Sequence, residues 1–186
     1  MKHIATATIA LTDGIASYGL VGEPPHTIPC ASLPELRQAI CDSPEFVQGD
    51  LADFRRAADN VRLAQLGTLL CASAVPNWDS ESTALIGLNG DGCAHNNRLF
   101  WDDFTTHGRE SGRATLFVPT LPSIPVCEAA ITLAIHGPVR YLKTETAAQT
   151  TELLADMFVS DSLLRQIMTA EITINKAIVN LYQPTI

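Results

Sequence analysis

The stretch that decides the fold runs Phe117-Val118-Pro119-Thr120-Leu121-Pro122-Ser123, continues to Ile135-His136-Gly137-Pro138, and reaches Thr144-Glu145-Thr146. Phe117-Val118-Pro119 reads as a loop leading into a helix. Residues 123–135 are strongly apolar and predict that helix, with Gly137-Pro138 following its end. Residues 139–144 predict a strand. A second helix is expected over 146–160, with Leu153, Leu154, Met157 and Phe158 on one side.

Working outward, residues 3–11 are rich in β-branched types and stop at Asp13-Gly14, the pattern of a first strand and a turn. Met1-Lys2-His3 followed by Ile4 to Leu11 also has the outline of a short signal peptide. Its apolar part is short and diluted by Thr6, Thr8 and Thr12, so the strand is the preferred reading. Residues 20–34 carry Pro24, Pro25, Pro29 and Pro34 and are expected to be loop. Ser32 is placed to cap a short helix beginning at Pro34, because proline is tolerated in a first turn. Residues 42–56 read as a mixed polar connection.

Residues 57–74 give the clearest early helix, with Val61, Ala64, Leu66, Leu69 and Leu70 on a broad apolar face and Pro76 beyond it. Residues 83–88 predict a buried strand that runs into Asn89-Gly90-Asp91-Gly92. A helix over about 95–106 holds Leu99, Phe100, Trp101 and Phe104. Strands are expected over 164–174 and 177–182. The pattern is mixed α/β, helices covering a central sheet, with no internal repeat or clear linker. One domain over 1–186 is expected.

The 186 residues suffice for a real core. Charged residues are 17%, below the usual quarter. A surface so poor in charge fits one partly covered by a partner, and a large core gives the same figure. The formal net charge is −8 and the pI about 4.9. This argues against nucleic acid, since the basic residues are scattered apart from Arg55-Arg56. It also argues against direct docking of an acidic acyl carrier protein. No run of eighteen apolar residues suggests membrane insertion, and the expected location is cytoplasmic.

The cysteines are Cys30, Cys41, Cys71, Cys93 and Cys127. Their odd number and the lack of CxxC spacing suggest neither a disulfide frame nor a zinc site, and they read as buried free thiols. Cys127 lies inside the apolar 123–135 helix and reads as core. Asn89-Gly90-Asp91-Gly92 lacks a phosphate-loop signature and reads as a tight strand-to-helix turn. Asp91 with His95, and Asp102 or Asp103 with His107, have helical spacing, but two ligands do not make a metal site. No GxSxG is present. His136 falls at an expected helix C-terminus, where an imidazolium meets the helix dipole favourably. Lys143 and Glu145 near the turn at 146 read as solvated or interface charges. No cofactor or metal is called for.

Taken in order, these segments resemble the N-terminal half of a β-ketoacyl synthase, a thiolase-like layered fold. The residues that carry the likeness are Phe117-Val118-Pro119, Leu121-Pro122 and Gly137-Pro138, and the ordered match extends over nearly the whole chain. In that family a sharp turn after the strand presents a nucleophilic cysteine. Thr146 holds that place here, in Thr144-Glu145-Thr146-Ala147-Ala148, where the family has Thr-Ala-Cys-Ser-Ser. Ser123 stands where the family usually has Asn. The sequence reaches Ile186 about where the family's second half, with its two catalytic histidines, would begin. None of His3, His26, His95, His107 or His136 falls in a matching motif.

Condensation requires a thiolate, and a threonine hydroxyl without a positioned base is a poor substitute. The resemblance therefore implies a chain length factor, a cysteine-less relative that pairs with an active ketosynthase. Small truncated members of this appearance belong to the aryl polyene type. The implied partner is a full-length β-ketoacyl synthase, with acyl carrier protein reached only through it. In the family, two sheets join edge to edge. The implied tunnel and interface residues are Leu116, Phe117, Leu121 and Pro122, with Thr146 as a degenerate nucleophile position. Plain core packing of Phe117 is the competing reading. Other readings of the chain are an independent acyltransferase or hydrolase using Thr146 or Cys127, and a structural homodimer or binding module.

Overall fold

A computed structural model describes residues 1–88, 93–108, 112–143 and 146–185. Its strands are β1 (Lys2–Ala10), β2 (Ile15–Leu20), β3 (His26–Pro29), β4 (Thr83–Gly87), β5 (Val139–Tyr141), β6 (Gln166–Ile172) and β7 (Lys176–Gln183). Its helices are α1 (Leu33–Asp42), α2 (Asp59–Ser73), α3 (Ala94–His107), α4 (Ala114–Phe117), α5 (Ile124–Thr132) and α6 (Ala147–Ser160). A 3-10 turn, Val118–Thr120, joins α4 to the approach to α5.

The strands form one mixed sheet in the order β3-β2-β1-β7-β6-β4-β5. β4 runs parallel to β5 and β6, whereas β7 is antiparallel to both β6 and β1. Along β1 and β7 the alternate residues Ala5, Ala7, Ile9, Ala177, Val179 and Leu181 are buried toward one side. Helix α2 lies on that side, and α1 and α5 pack against α2. α2 is therefore buried nearly all round, which explains its run of Leu63, Leu66, Leu69 and Leu70. Each such side chain contributes about 1.5–3 kcal/mol by leaving water. A Cβ on Gly67 would stand 3.0 Å from Val179 Cγ2, so glycine permits the close approach of α2 to the sheet.

On the opposite face, α6 covers only the β4–β6 region. Leu154 packs there with Ala84, Ile86, Leu164 and Ile167. β4 is thus buried on both faces, as its apolar run Thr-Ala-Leu-Ile-Gly suggests. Toward β1 and β7 the same face carries polar contacts instead. Thr6 Oγ1 donates to Asn180 Oδ1 at 3.0 Å, and His3 stacks on Tyr182.

The expected mixed α/β layering is present, with local corrections. The 20–34 stretch is not all loop, because His26–Pro29 pairs with β2 as an edge strand. An edge tolerates Pro29, whose missing N–H costs no ladder bond on the open side. The Phe117-Val118-Pro119 loop is helical, divided between α4 and the 3-10 turn. β5 and β6 are shorter than expected. α5 ends at Thr132, with Ala134 in the left-handed region at φ 50°. His136 therefore lies beyond the helix end rather than on its dipole, and its Nε2 pairs with Glu81 at 3.6 Å. α6 is less buried than its one-sided pattern suggests: Leu154 is buried, Met157 and Phe158 only partly, and Leu153 is exposed. Among the described residues no single helix is long and apolar enough to cross a membrane.

Candidate functional site

The Gly137-Pro138 signature has a direct steric cause. A Cβ on Gly137 would fall on the Thr83 carbonyl, at the start of β4. Leu85 N–H then donates to the Pro138 carbonyl at 2.9 Å and Leu142 N–H to that of Gly87 at 2.8 Å. These bonds seat β5 beside β4 and make it the last strand of the sheet. Ladder alternation turns the N–H and C=O of Val139 away from β4, toward the open edge.

Beyond β5 the chain turns into α6 at Thr146. The Thr146 Oγ1 accepts the N–H of Gln149 at 3.2 Å, and the residue is the N-cap of α6, in extended geometry at φ −140°. The hydroxyl thus satisfies one of the unpaired donors of the first turn. Among the described residues no imidazole or carboxylate is hydrogen-bonded to it. Thr144 and Glu145 lie outside the described residues, as do Asn89-Gly90-Asp91-Gly92 and with them Asp91. Lys143 is exposed two residues beyond β5.

Phe117 belongs to a different neighbourhood. α3 buries none of its residues and leans chiefly on α4 and the 3-10 turn. Its aromatic side packs on Phe117 rather than into the core: Phe100 meets Phe117 edge-on at 5.4 Å, and Trp101 stacks on Phe104 at 5.9 Å. Phe117 is 49% exposed and Trp101 61% exposed. Leu99, Val118 and Leu121 add exposed apolar surface, and Leu116 and Pro122 are half-buried. Plain core packing of Phe117 is therefore excluded.

Polar contacts hold this aromatic arm in place. Asn60 Nδ2 donates to the Pro119 carbonyl at 3.3 Å, and Asn97 Nδ2 to that of Thr120 at 3.4 Å. Asp103 pairs with Arg113, at the start of α4, at 3.2 Å and with His107 at 3.3 Å. The Asp103–His107 spacing thus belongs to a clasp between α3 and α4. Among the described residues no group of three or more metal-ligating side chains gathers.

The thiols are not uniformly buried. Cys30, Cys71 and Cys93 are buried, Cys41 is exposed and Cys127 is half-buried in α5, so the expectation of five core thiols holds for three. Burial pushes the Cys71 thiol far up, and it pushes Cys30 up too, with Glu35 adding to the rise. Neither is poised as a nucleophile. The exposed aromatic arm is the feature that sequence reading missed. Its signal was present in Leu99-Phe100-Trp101 and Phe104, which look like any core helix until nothing covers them.

The sequence matches no protein-family model and no curated protein. The structure is similar to that of the ishigamide ketosynthase/chain length factor, with a TM-score of 0.59 and 10% identity, covering 97% of this chain and 61% of that one. It is similar also to the ketosynthase ApeO in complex with its chain length factor ApeC from Xenorhabdus doucetiae, with a TM-score of 0.59 and 13% identity, covering 99% of this chain and 79% of that one. This chain thus spans about three-fifths of the first neighbour's length. At such identity the likeness is one of fold, and the fold is the thiolase-like layering of ketosynthase and chain length factor proteins.

Proposed function

We propose that the chain is a non-catalytic, chain-length-factor-like subunit that pairs with an active β-ketoacyl synthase and shapes that enzyme's acyl tunnel. The setting is chain elongation of the aryl polyene, polyketide or fatty-acid type. The observation that carries the reading is the aromatic arm: Trp101, Phe117, Val118 and Leu121 stand exposed on α3, α4 and the turn after it. Apolar clusters of this kind mark interaction surfaces. The open edge at β5 supplies a second contact, since a strand with outward backbone groups pairs readily with another.

On this reading Phe117, with Leu116, Leu121 and Pro122, closes the far end of the partner's tunnel and limits product length by size. A fitting apolar chain is favoured by about 25 cal/mol per Å² removed from water. Thr146 keeps the turn in place of a nucleophile: its hydroxyl caps α6, and threonine needs an adjacent base to attack a thioester. Acyl carrier protein reaches the complex through the synthase, because this chain carries a net charge of −8.

Co-expression with a full-length β-ketoacyl synthase encoded beside it is expected to yield a one-to-one heterodimer by native mass spectrometry. A monomer that ignores the synthase overturns the proposal. So does an acyl adduct on the isolated chain, formed from acyl-thioester substrates and lost in Thr146→Ala or Cys127→Ala, since it would make the chain an enzyme in its own right.

A further inference from the structure

α4 has four residues, too few to persist as a helix without tertiary contacts. Two rungs tie it to α3. At one, the Phe100 and Phe117 rings meet edge-on at 5.4 Å. At the other, Arg113 Nη2 stands 3.2 Å from Asp103 Oδ1. Asp103 lies about one turn after Phe100 in α3, and Arg113 about one turn before Phe117. The rungs therefore run in opposite order along the two segments. α4 lies antiparallel on α3, and the ion pair fixes how far one has slid along the other.

The partners in that pair are unequal. The Asp103 side chain is 10% exposed and that of Arg113 58% exposed. A carboxylate so covered is little screened by salt and depends on its countercharge. His107 also meets it, at 3.3 Å, but lies on α3 itself and ties nothing across. Arg113 supplies the charge from the α4 side. The other end of α4 is held separately, by Asn60 on the Pro119 carbonyl and Asn97 on that of Thr120. Phe117 thus sits between an anchor to α2 and a clasp within the arm. It is 49% exposed, so packing alone does not fix its ring.

We infer, on the reading of Phe117 as the end of the partner's tunnel, that Asp103 is a positioning residue for product length. Through Arg113 it sets the place of α4 along α3, and with it the point from which Phe117 meets the tunnel. Covered as it is, Asp103 does not meet the acyl chain and acts only through α4. A slide of α4 by one residue moves the ring by about 1.5 Å, the length of a carbon–carbon bond and so the scale on which chain length is measured.

The test uses the full chain co-expressed with the β-ketoacyl synthase encoded beside it. Extension of acyl-thioester primers is followed by mass spectrometry, reading the length distribution of the products and the total turnover. Asp103→Ala is expected to lower the share of parent-length product about twofold or more, in favour of longer chains, with total turnover within about twofold. Arg113→Ala, at an exposed position, is expected to act likewise, and it decides the matter should Asp103→Ala not fold. Arg113→Lys keeps the charge pair and is expected to keep the parent distribution. The double alanine variant is expected to shift the distribution no further than either single one, as for two members of one contact. A merely structural role would lower turnover or heterodimer yield and leave the distribution as it was. Phe117→Ala separates the two levels. If no heterodimer forms, or if Phe117→Ala leaves product length unchanged, the tunnel reading falls and the role of Asp103 with it. If Phe117→Ala lengthens the products while Arg113→Ala does not, if Arg113→Lys shifts them as far as Arg113→Ala, or if the two alanine effects add, the role of Asp103 alone is overturned.

Discussion

Two residues in the diagnostic stretch can be tested singly. Gly137 is required because any side chain would overlap the Thr83 carbonyl, which is backbone and has no rotamer to move. Gly137→Ala is expected to lower unfolding stability by about 1–3 kcal/mol, read from the denaturant midpoint. An unchanged midpoint would show that β5 shifts freely against β4. Thr146 acts as a cap, so Thr146→Ala is expected to cost about 1 kcal/mol and Thr146→Ser close to nothing. Equal losses in both would point to the methyl group rather than the oxygen. The two positions differ in how readable they were. The Thr146 cap depends only on residue type and local backbone, although the sequence was read there for a degenerate nucleophile position and not for a cap. The clash at Gly137 was not readable, because the atom it avoids is more than fifty positions earlier in the chain.

Elements with strong periodicity or apolar runs were readable: β1, α2, β4, α5 and β7 stand close to where their patterns place them. What failed was the reading of cover. α3 and α6 carry apolar residues in core-like number, yet α3 buries none and α6 only Leu154. Amphipathicity says that a face seeks burial; it does not say which molecule supplies it. The β2–β3 hairpin was missed for another reason, since prolines that forbid a central strand are tolerated at an edge. The aromatic arm gives the prediction at this scale. Trp101→Ala is expected to change the stability of the isolated chain by no more than about 1 kcal/mol. The same substitution is expected to weaken a heterodimer with a synthase by about 2 kcal/mol or more, as a central aromatic anchor does. Equal effects on both would make Trp101 a structural residue of the arm.

At the scale of the whole molecule, a turn far from the arm adds a pH-dependent contribution to stability. Ser82 Oγ donates to Asp79 Oδ2 at 2.5 Å and Glu81 N–H to Oδ1 at 3.1 Å. These bonds, the Ser82 hydroxyl foremost, hold the Asp79 carboxyl below its ordinary range. A carboxyl lowered in the folded state stabilises fully above its unfolded pKa and loses that contribution as pH falls through the folded value. Asp79→Asn is expected to reduce stability at neutral pH and to converge with the parent in acid, below about pH 4. Parallel stability curves across the whole range would exclude the linkage. Periodicity and turn chemistry indicated a mixed α/β layering by themselves, because they are properties of neighbours along the chain, and the resemblance of the ordered segments to a known family supplied the ketosynthase-like reading. The order of the strands, the open edge at β5 and the bare aromatic arm were decided only by tertiary structure. Each depends on which surfaces meet across long sequence separations and which are left uncovered, and a pattern of apolar residues is the same in either case.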